Sequence, residues 1–184
     1  MMSLVMGTLQ TVPARTRKDL LAAPVYDALE SMSSDRVEQI LVAPIDPDLA
    51  DTAAFCEAYQ VGLEVSANCV VVAGKREGAT RFAACLVLAT TRADVNGIVR
   101  KLLDVRKASF APMDVAVSET GMEYGGITPI GLPADWPIFI DAAVDATANV
   151  IIGSGVRHSK IALPGGALKT LPNAQVVEGL ARAS

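Results

Sequence analysis

The sequence contains little of what most catalytic and metal sites are made of. Of 184 residues, one is histidine and three are cysteine, and aromatic residues make up only 4%. The single His158 belongs to no cluster of His, Cys and Asp at metal-ligand spacing, which argues against a metal site. No Gly-x-Ser-x-Gly motif is present. An enzyme built on this chain is therefore expected to position its substrate rather than to use an activated nucleophile, and we expect no metal and no other cofactor.

Long apolar runs and secretory features are also missing. No run approaches the roughly 20 apolar residues that a membrane-spanning helix needs. Near the start, basic residues follow the apolar part, which reverses the order of a secretory signal. These features predict a cytoplasmic protein without membrane attachment. Cysteines are expected to stay reduced there, although Cys69 and Cys85 would lie nearly opposite each other in a predicted hairpin.

The net charge of the chain limits how it can bind nucleic acids. A net charge of −4 argues against a general nucleic-acid coat, so a nucleic-acid partner would need a local basic patch. Two stretches qualify, and both can equally be solvated faces. They are Arg92, Arg100, Lys101, Arg106 and Lys107 in the first, and Arg157, His158 and Lys160 in the second.

The length of the chain predicts one domain over residues 1–184, with an irregular lead-in at 1–20. Helical spacing predicts helices at 24–32, 48–60, from 95 onwards and at 112–120. Thr91 is expected to be the N-cap of the third of these, with Asp94 at N3. Apolar β-type runs predict strands at 37–43, 69–73, 82–90, 138–141, 149–152, 159–163 and 174–177, with a turn at 74–78. Strands mixed with helices, without strict βαβ alternation, indicate the α+β class.

The most distinctive stretch is 121–133, where four glycines and two prolines fall within thirteen residues. It has neither dinucleotide-binding nor P-loop spacing. One interpretation is a tight connection between strands. The other is a stiff loop that meets a ligand mainly through its peptide groups. A second glycine-bearing loop, 153–160, is expected to meet the first and to form the other wall of a pocket.

These residues resemble a known family. The order is a hydrophobic strand, a helix, Thr-Gly-x-x-x-Gly-Gly-x-x-Pro-x-Gly-Leu-Pro at 120–133, a strand ending in Asp141, and a Ser-Gly-x-Arg loop. It is similar to the YbaK/EbsC family of aminoacyl-tRNA deacylases, which are associated with prolyl-tRNA synthetase, over about residues 48–178. The resemblance implies a mixed, barrel-like β-sheet surrounded by helices. It also implies a trans-acting editing deacylase that hydrolyses the ester of a mischarged aminoacyl-tRNA of the Cys or Ala type.

The resemblance also implies site residues and partners. A tRNA acceptor end with its amino acid would be the substrate, and we keep open a synthetase partner and a homodimer. Asn68 and Asp141 are the candidate catalytic residues. The family's strand lysine, which helps water attack together with the substrate's ribose hydroxyl, aligns with Ala67. A weakened homologue that only binds tRNA ends or a small ligand is therefore the alternative. The expected substrate-binding residues are Gly125, Gly126, Ile127, Thr128, Pro129, Gly131, Ser154, Gly155, Arg157 and His158.

Overall fold

The structure, a computed structural model, describes residues 6–184, so the first five residues of the predicted lead-in lie outside it. The α-helices are α1 Ala23–Glu30, α2 Ser34–Val37, α3 Thr52–Tyr59, α4 Arg100–Leu102, α5 Met113–Thr120 and α6 Ala142–Ala146. A π-helical turn, Val95–Val99, leads into α4, and 3₁₀ turns lie at Ala14–Thr16, Lys18–Leu20, Pro47–Leu49, Leu63–Val65 and Gly165–Thr170. In the described part of the chain, no helix combines the length and apolarity needed to cross a bilayer.

Eleven strands form three sheets within residues 6–184. The strands are β1 Val12–Pro13, β2 Leu41–Pro44, β3 Ala67–Arg76, β4 Ala79–Leu88, β5 Thr91–Ala93, β6 Ala108–Phe110, β7 Ile138–Asp141, β8 Val150–Gly153, β9 Ser159–Leu163, β10 Ala174–Val177 and β11 Ala181–Ala183. One sheet has the order β1-β2-β9-β8, another β10-β7-β4-β3-β6, and β11 pairs with β5. The predicted α+β class is confirmed. The two larger sheets are joined by a parallel bridge between Ser66 and Ile151, and they do not close into a barrel over the described residues.

The two larger sheets face each other across the main core. Side chains alternate between the two faces of a strand. In both sheets the side chains of the outer face are buried as well, in two further cores. Leu86 and Ile140 of one sheet meet Val42 and Ile161 of the other in the shared core. On the outer face of the five-stranded sheet, Cys85 packs with Val95 and Val99 of the π-helical turn and with Leu103, which directly follows α4. On the outer face of the four-stranded sheet, α3 packs through Phe55 and Cys56. This second contact brings the beginning of α3 beside the first residues of β3 and β9, where Thr52 hydrogen-bonds to Asn68 and Lys160 donates to Ala50.

The β3–β4 hairpin corrects the expectation about its two cysteines. Cys69 pairs with Leu86, and Cys85 pairs with Val70. A shift of one residue places two side chains on opposite faces of a sheet. Cys69 therefore packs in the core between the sheets and Cys85 in the outer core, and both thiols are free.

Four local expectations were wrong. The predicted strand at 37–43 is divided between α2 and β2, because the chain from Ser33 to Glu38 makes helical hydrogen bonds. The turn predicted at 74–78 is confined to Glu77 and Gly78, so the hairpin is longer. Thr91 lies in β5, and the cap is Asp94, which accepts hydrogen bonds from the amides of Gly97 and Ile98. The polar tail contributes β11, which was not predicted.

Candidate active site

The glycine loop, residues 121–133, begins where α5 ends and lies directly against the turn at 153–160. The amide of Gly155 donates to the carbonyl of Gly126 over 2.7 Å, and the amide of Glu123 donates to the carbonyl of Gly155 over 2.9 Å. A Cβ atom on Gly126 would lie 2.5 Å from the carbonyl oxygen of Val156, so only glycine permits this approach. The two loops therefore meet as expected, but through backbone contacts rather than across a hollow.

A cleft of about 320 Å³ lies beside this contact. Its walls are the beginning of α3, the first half of β3, the end of β6, the N-terminal half of α5, the glycine loop, the end of β8 and the start of β9. Small and apolar residues predominate among the lining residues. They are Ala50, Asp51, Thr52, Ala67, Asn68, Cys69, Val70, Val71, Phe110, Ala111, Ala116, Tyr124, Gly125, Ile127, Gly153 and Lys160. Three residues predicted for the site, Asn68, Gly125 and Ile127, line the cleft.

Asn68 offers a hydrogen-bond donor to the cleft. Its Oδ1 accepts from the hydroxyl of Thr52 over 2.7 Å, which fixes the orientation of the amide. Its Nδ2 group makes no hydrogen bond to a protein group of residues 6–184. A primary amide has two N–H donors, so this nitrogen is available to a carbonyl oxygen of a ligand.

Lys160 is the cation of the cleft. It lies on β9 and is only 9% exposed. Its Nζ donates to the carbonyl of Ala50 over 2.9 Å and lies 5.2 Å from the centre of the Phe55 ring. Burial lowers the pKa of this ammonium; the charge of Arg157 lowers it further, whereas Cys56 and Asp51 act in the opposite direction.

The thiol of Cys69 also lines the cleft, but it is not an activated nucleophile. Burial raises the pKa of Cys69, and the neighbouring Cys85 raises it further. A thiol attacks as the thiolate, which is scarce when the pKa is raised. The chemistry of the cleft must therefore come from hydrogen-bond donors, charges and water.

Arg157 holds the glycine loop to the segment before α3. Its guanidinium donates to the carbonyls of Tyr124 and Pro47 over 3.3 and 3.1 Å, and its amide donates to a carboxylate oxygen of Glu123 over 2.6 Å. Asp51 lies 3.8 Å from the same guanidinium. Arg157 thus shapes the cleft from behind the loop rather than lining it.

The other predicted residues lie away from the cleft. His158 contacts the carbonyl of Asp19 through Nε2, at 3.0 Å. The hydroxyl of Ser154 donates within its own turn, and Thr128 is fully buried. Pro129 and Gly131 line a separate cavity of about 230 Å³ behind the glycine loop.

Both carboxylate oxygens of Asp141 accept hydrogen bonds from backbone amides. One carboxylate oxygen caps α6 by accepting from the amide of Ala143 over 3.0 Å. The other accepts from the amide of Ala181 over 2.9 Å and so anchors β11. These bonds leave no role for Asp141 at the cleft.

Sequence reasoning did not place Asp51, Phe110 or Tyr124 at the site, and it counted Lys160 only as part of a basic patch. Lys160 carried a usable signal, because it is a charged residue at the start of the otherwise apolar run Ile161–Ala162–Leu163. A lysine in a buried strand needs a polar partner or an opening. Phe110 and Tyr124, 59% and 53% exposed, gave no such signal: Phe110 ends strand β6 and Tyr124 lies in the glycine loop, and neither setting shows from the sequence that the ring stays exposed.

The family model described as the aminoacyl-tRNA editing domain matches residues 46–171, which include the glycine loop and every residue that lines the cleft. The chain belongs to the aminoacyl-tRNA editing domain family. Among solved structures, the editing domain is similar to a protein provisionally described as a trans-editing enzyme for prolyl-tRNA synthetase. That likeness has a TM-score of 0.69 at 20% identity and covers 85% of this chain and 94% of that one.

Two further structures share the fold. A hypothetical protein of known crystal structure matches with a TM-score of 0.72 at 17% identity, over 84% of this chain and 99% of that one. A longer protein from Marinobacter aquaeolei VT8, provisionally described as a signal transduction protein, matches with a TM-score of 0.53 at 16% identity, over 88% of this chain and 31% of that one. No curated protein sequence matches the chain significantly. At these identities the structural matches support the fold of the editing domain and nothing finer.

Proposed function

We propose that this editing domain hydrolyses the ester between a small, wrongly attached amino acid, of the Ala or Cys type, and the 3′ end of a tRNA. The observation that carries the proposal is the cleft beside the glycine loop, which combines an oriented amide donor, a buried cation and small apolar walls. The proposal places the reaction in the cytoplasm, where tRNA is aminoacylated, with a synthetase as the source of mischarged tRNA.

Size is the basis of the proposed specificity. Ala67, Val71, Ala116 and Ile127 supply small or branched apolar surface around the cleft, and none of them offers a hydrogen-bond partner to a polar side chain. A cleft of about 320 Å³ must hold the amino acid and part of the terminal ribose. Editing sites that reject by size exclude the larger, correct amino acid and hydrolyse the smaller one.

The two ends of the substrate have matching groups in the cleft. Asp51, whose carboxylate is largely exposed at the cleft, is suited to the α-ammonium group of the amino acid. Phe110 and Tyr124 present exposed rings on which the terminal adenine can stack, the usual way in which proteins bind unpaired bases. Stacking suits an acidic protein, because it needs fewer phosphate contacts.

Water is the proposed nucleophile. Its oxygen bonds to the ester carbonyl carbon, and the bond from that carbon to the ribose oxygen breaks. One proton of the water ends on the ribose oxygen, and the other is released when the new carboxyl group ionises. The products are the free amino acid and the uncharged tRNA. The amide of Asn68 donates to the carbonyl oxygen as negative charge develops on it, a kind of stabilisation worth about 10²–10³ in rate per donor.

The second candidate function is binding without hydrolysis. Ala67 favours it, because the resemblance places a lysine at this position and alanine can neither donate a hydrogen bond nor carry charge. In this case the same cleft would hold a tRNA end or a small amino-acid-like ligand.

Deacylation of a panel of mischarged tRNAs distinguishes the two functions. We expect release of Ala or Cys clearly above spontaneous hydrolysis, and slower release of larger amino acids. Release at the spontaneous rate for every amino acid, together with retained binding of tRNA, would select the binding module. Loss of both would contradict the use of this cleft for aminoacyl-tRNA.

A further inference from the structure

Resting on the proposed function, we propose that Lys160 is a catalytic residue whose ammonium contacts the ester carbonyl oxygen and stabilises the oxyanion that forms there. Lys160 reaches the cleft from β9, in the four-stranded sheet. The cation at the reacting carbonyl would thus come from a different sheet than β3, where Ala67 lies.

The first support is an incomplete set of contacts. An ammonium has three N–H donors. The carbonyl of Ala50 takes one of them, and the face of Phe55 lies against another side of the group. Among residues 6–184, no carboxylate oxygen lies within 4.0 Å of the Lys160 Nζ, the distance that defines an ion pair. The charge of Asp51 acts on the ammonium from farther away, so no counter-charge is in contact with it. A buried charge of this kind is costly, so negative charge that develops next to it in the cleft would be stabilised strongly.

The second support is the position of the side chain in the sheet. Lys160 lies opposite Ala43 of β2 on one side and opposite Gly153 of β8 on the other. Neither neighbour has a side chain long enough to cover it. All of β9 is buried, and Ile161, Ala162 and Leu163, which follow Lys160, are apolar, so the strand itself offers the ammonium no route to bulk solvent. The side chain borders the cleft, whose lining includes the polar residues Asp51, Thr52 and Asn68.

The third support is the grouping of donors. Lys160 and Asn68 both line the cleft, and α3, which begins at Thr52, adds backbone amides that have no acceptor within the helix. A carbonyl oxygen among these groups would meet two kinds of donor from different elements. This arrangement matches the demand of ester hydrolysis, in which one oxygen gains charge in the transition state.

A purely structural role is the competing explanation, since Lys160 holds the carbonyl of Ala50 next to α3. The two roles differ in what they predict for pH. A catalytic ammonium must be protonated. Burial lowers its pKa from the ordinary value of 10.5, and Arg157 lowers it further, against the opposite effects of Cys56 and Asp51. Catalysed hydrolysis should therefore be present below that lowered pKa and be lost as the pH rises through it. A structural lysine would not produce this loss at constant stability.

Lys160→Met tests the proposal on the mischarged tRNA that the wild-type protein hydrolyses fastest. We expect kcat to fall about 10²-fold, by analogy with the loss of one oxyanion donor, with KM and the thermal midpoint nearly unchanged. Lys169→Met is the matched control, because Lys169 is half-exposed and pairs with Asp145 on the surface; it should leave kcat unchanged. Adding Ala67→Lys to Lys160→Met should recover part of the lost rate.

Lys160→Arg keeps the test decisive if the Met variant unfolds. Arginine stays charged up to far higher pH, so any activity of this variant should lack the loss at alkaline pH. A folded Lys160→Met variant with activity within threefold of wild type would overturn the proposal, as would an unchanged pH profile of an active Lys160→Arg variant. If the wild-type protein hydrolyses no mischarged tRNA, the proposed function itself fails, and this inference fails with it.

Discussion

Gly126→Ala is expected to lower both the stability and the deacylase activity of the protein. The added Cβ would lie 2.5 to 2.9 Å from the backbone of Val156, which cannot move without separating the glycine loop from the turn at 153–160. Loss of the hydrogen bonds at Gly155 would cost about 1–3 kcal/mol, or roughly 2–4 °C in thermal midpoint per kcal/mol at this chain length. Displacement of Gly125 and Ile127 by about 1 Å would cost on the order of 10² in rate.

Gly166→Ala is the matched control for this substitution. Gly166 lies in the 3₁₀ turn Gly165–Thr170, and the nearest atom that its Cβ would meet is the carbonyl oxygen of Asp145 at 3.8 Å, an ordinary contact. Thermal unfolding and deacylation of both variants should show a loss only for Gly126→Ala. Wild-type stability and rate in Gly126→Ala would mean that the close contact between the two loops does not shape the site.

Asn68→Asp is expected to reduce deacylation by on the order of 10²–10³ while the protein stays folded. The substitution is isosteric, and the carboxylate can still accept from the hydroxyl of Thr52. What is lost is the N–H donor, and a negative charge takes its place beside an oxygen that becomes negative in the transition state. The rate of amino-acid release under single-turnover conditions measures this effect without interference from tRNA release.

Thr52→Val tests how much the rate depends on the hydrogen bond that orients the Asn68 side chain. It removes the 2.7 Å hydrogen bond to Asn68 Oδ1 but leaves the amide nitrogen in place, so a smaller loss, about 10-fold, is expected from poorer orientation. If Asn68→Asp hydrolyses its substrate within threefold of wild type, the amide of Asn68 does not contact the reacting carbonyl.

Most of the fold could be predicted from local patterns. The strands at 138–141, 159–163 and 174–177 were predicted with the correct bounds, because short runs with a strand-like composition are flanked there by loop residues. The end of α5 was correct for a similar reason, since Gly121 takes a left-handed conformation directly after Thr120. Such features depend on neighbours in sequence and need no knowledge of tertiary contacts.

The errors arose where contacts between residues far apart in sequence determine the secondary structure. Thr91 could not be recognised as a strand residue without β11, which joins it from the other end of the chain. Thr91–Arg–Ala–Asp94 fits a capping pattern. Its first three residues nevertheless form strand β5, and Asp94 is the residue that caps the turn that follows. Long-range pairing overrides a local signal in this way because one residue cannot serve both structures.

The candidate site was predictable in its loop and unpredictable in its chemistry. The glycine loop was located from composition, and Gly125 and Ile127 line the cleft. Gly155 and Arg157, which were expected at the ligand, instead hold that loop from behind. Lys160 reaches the cleft only because α3 and β9 pack together through Phe55, a contact between residues about a hundred positions apart.

The most direct test of the account is the position of a non-hydrolysable substrate analogue, 3′-alanylamino-3′-deoxyadenosine, in a crystal structure of the complex. We predict the alanyl carbonyl oxygen within hydrogen-bond distance of Asn68 Nδ2 and Lys160 Nζ, the side chain against Ile127, and the adenine against Phe110 or Tyr124. Binding of the alanyl group in the separate cavity behind the glycine loop, beside Pro129 and Gly131, would contradict the account.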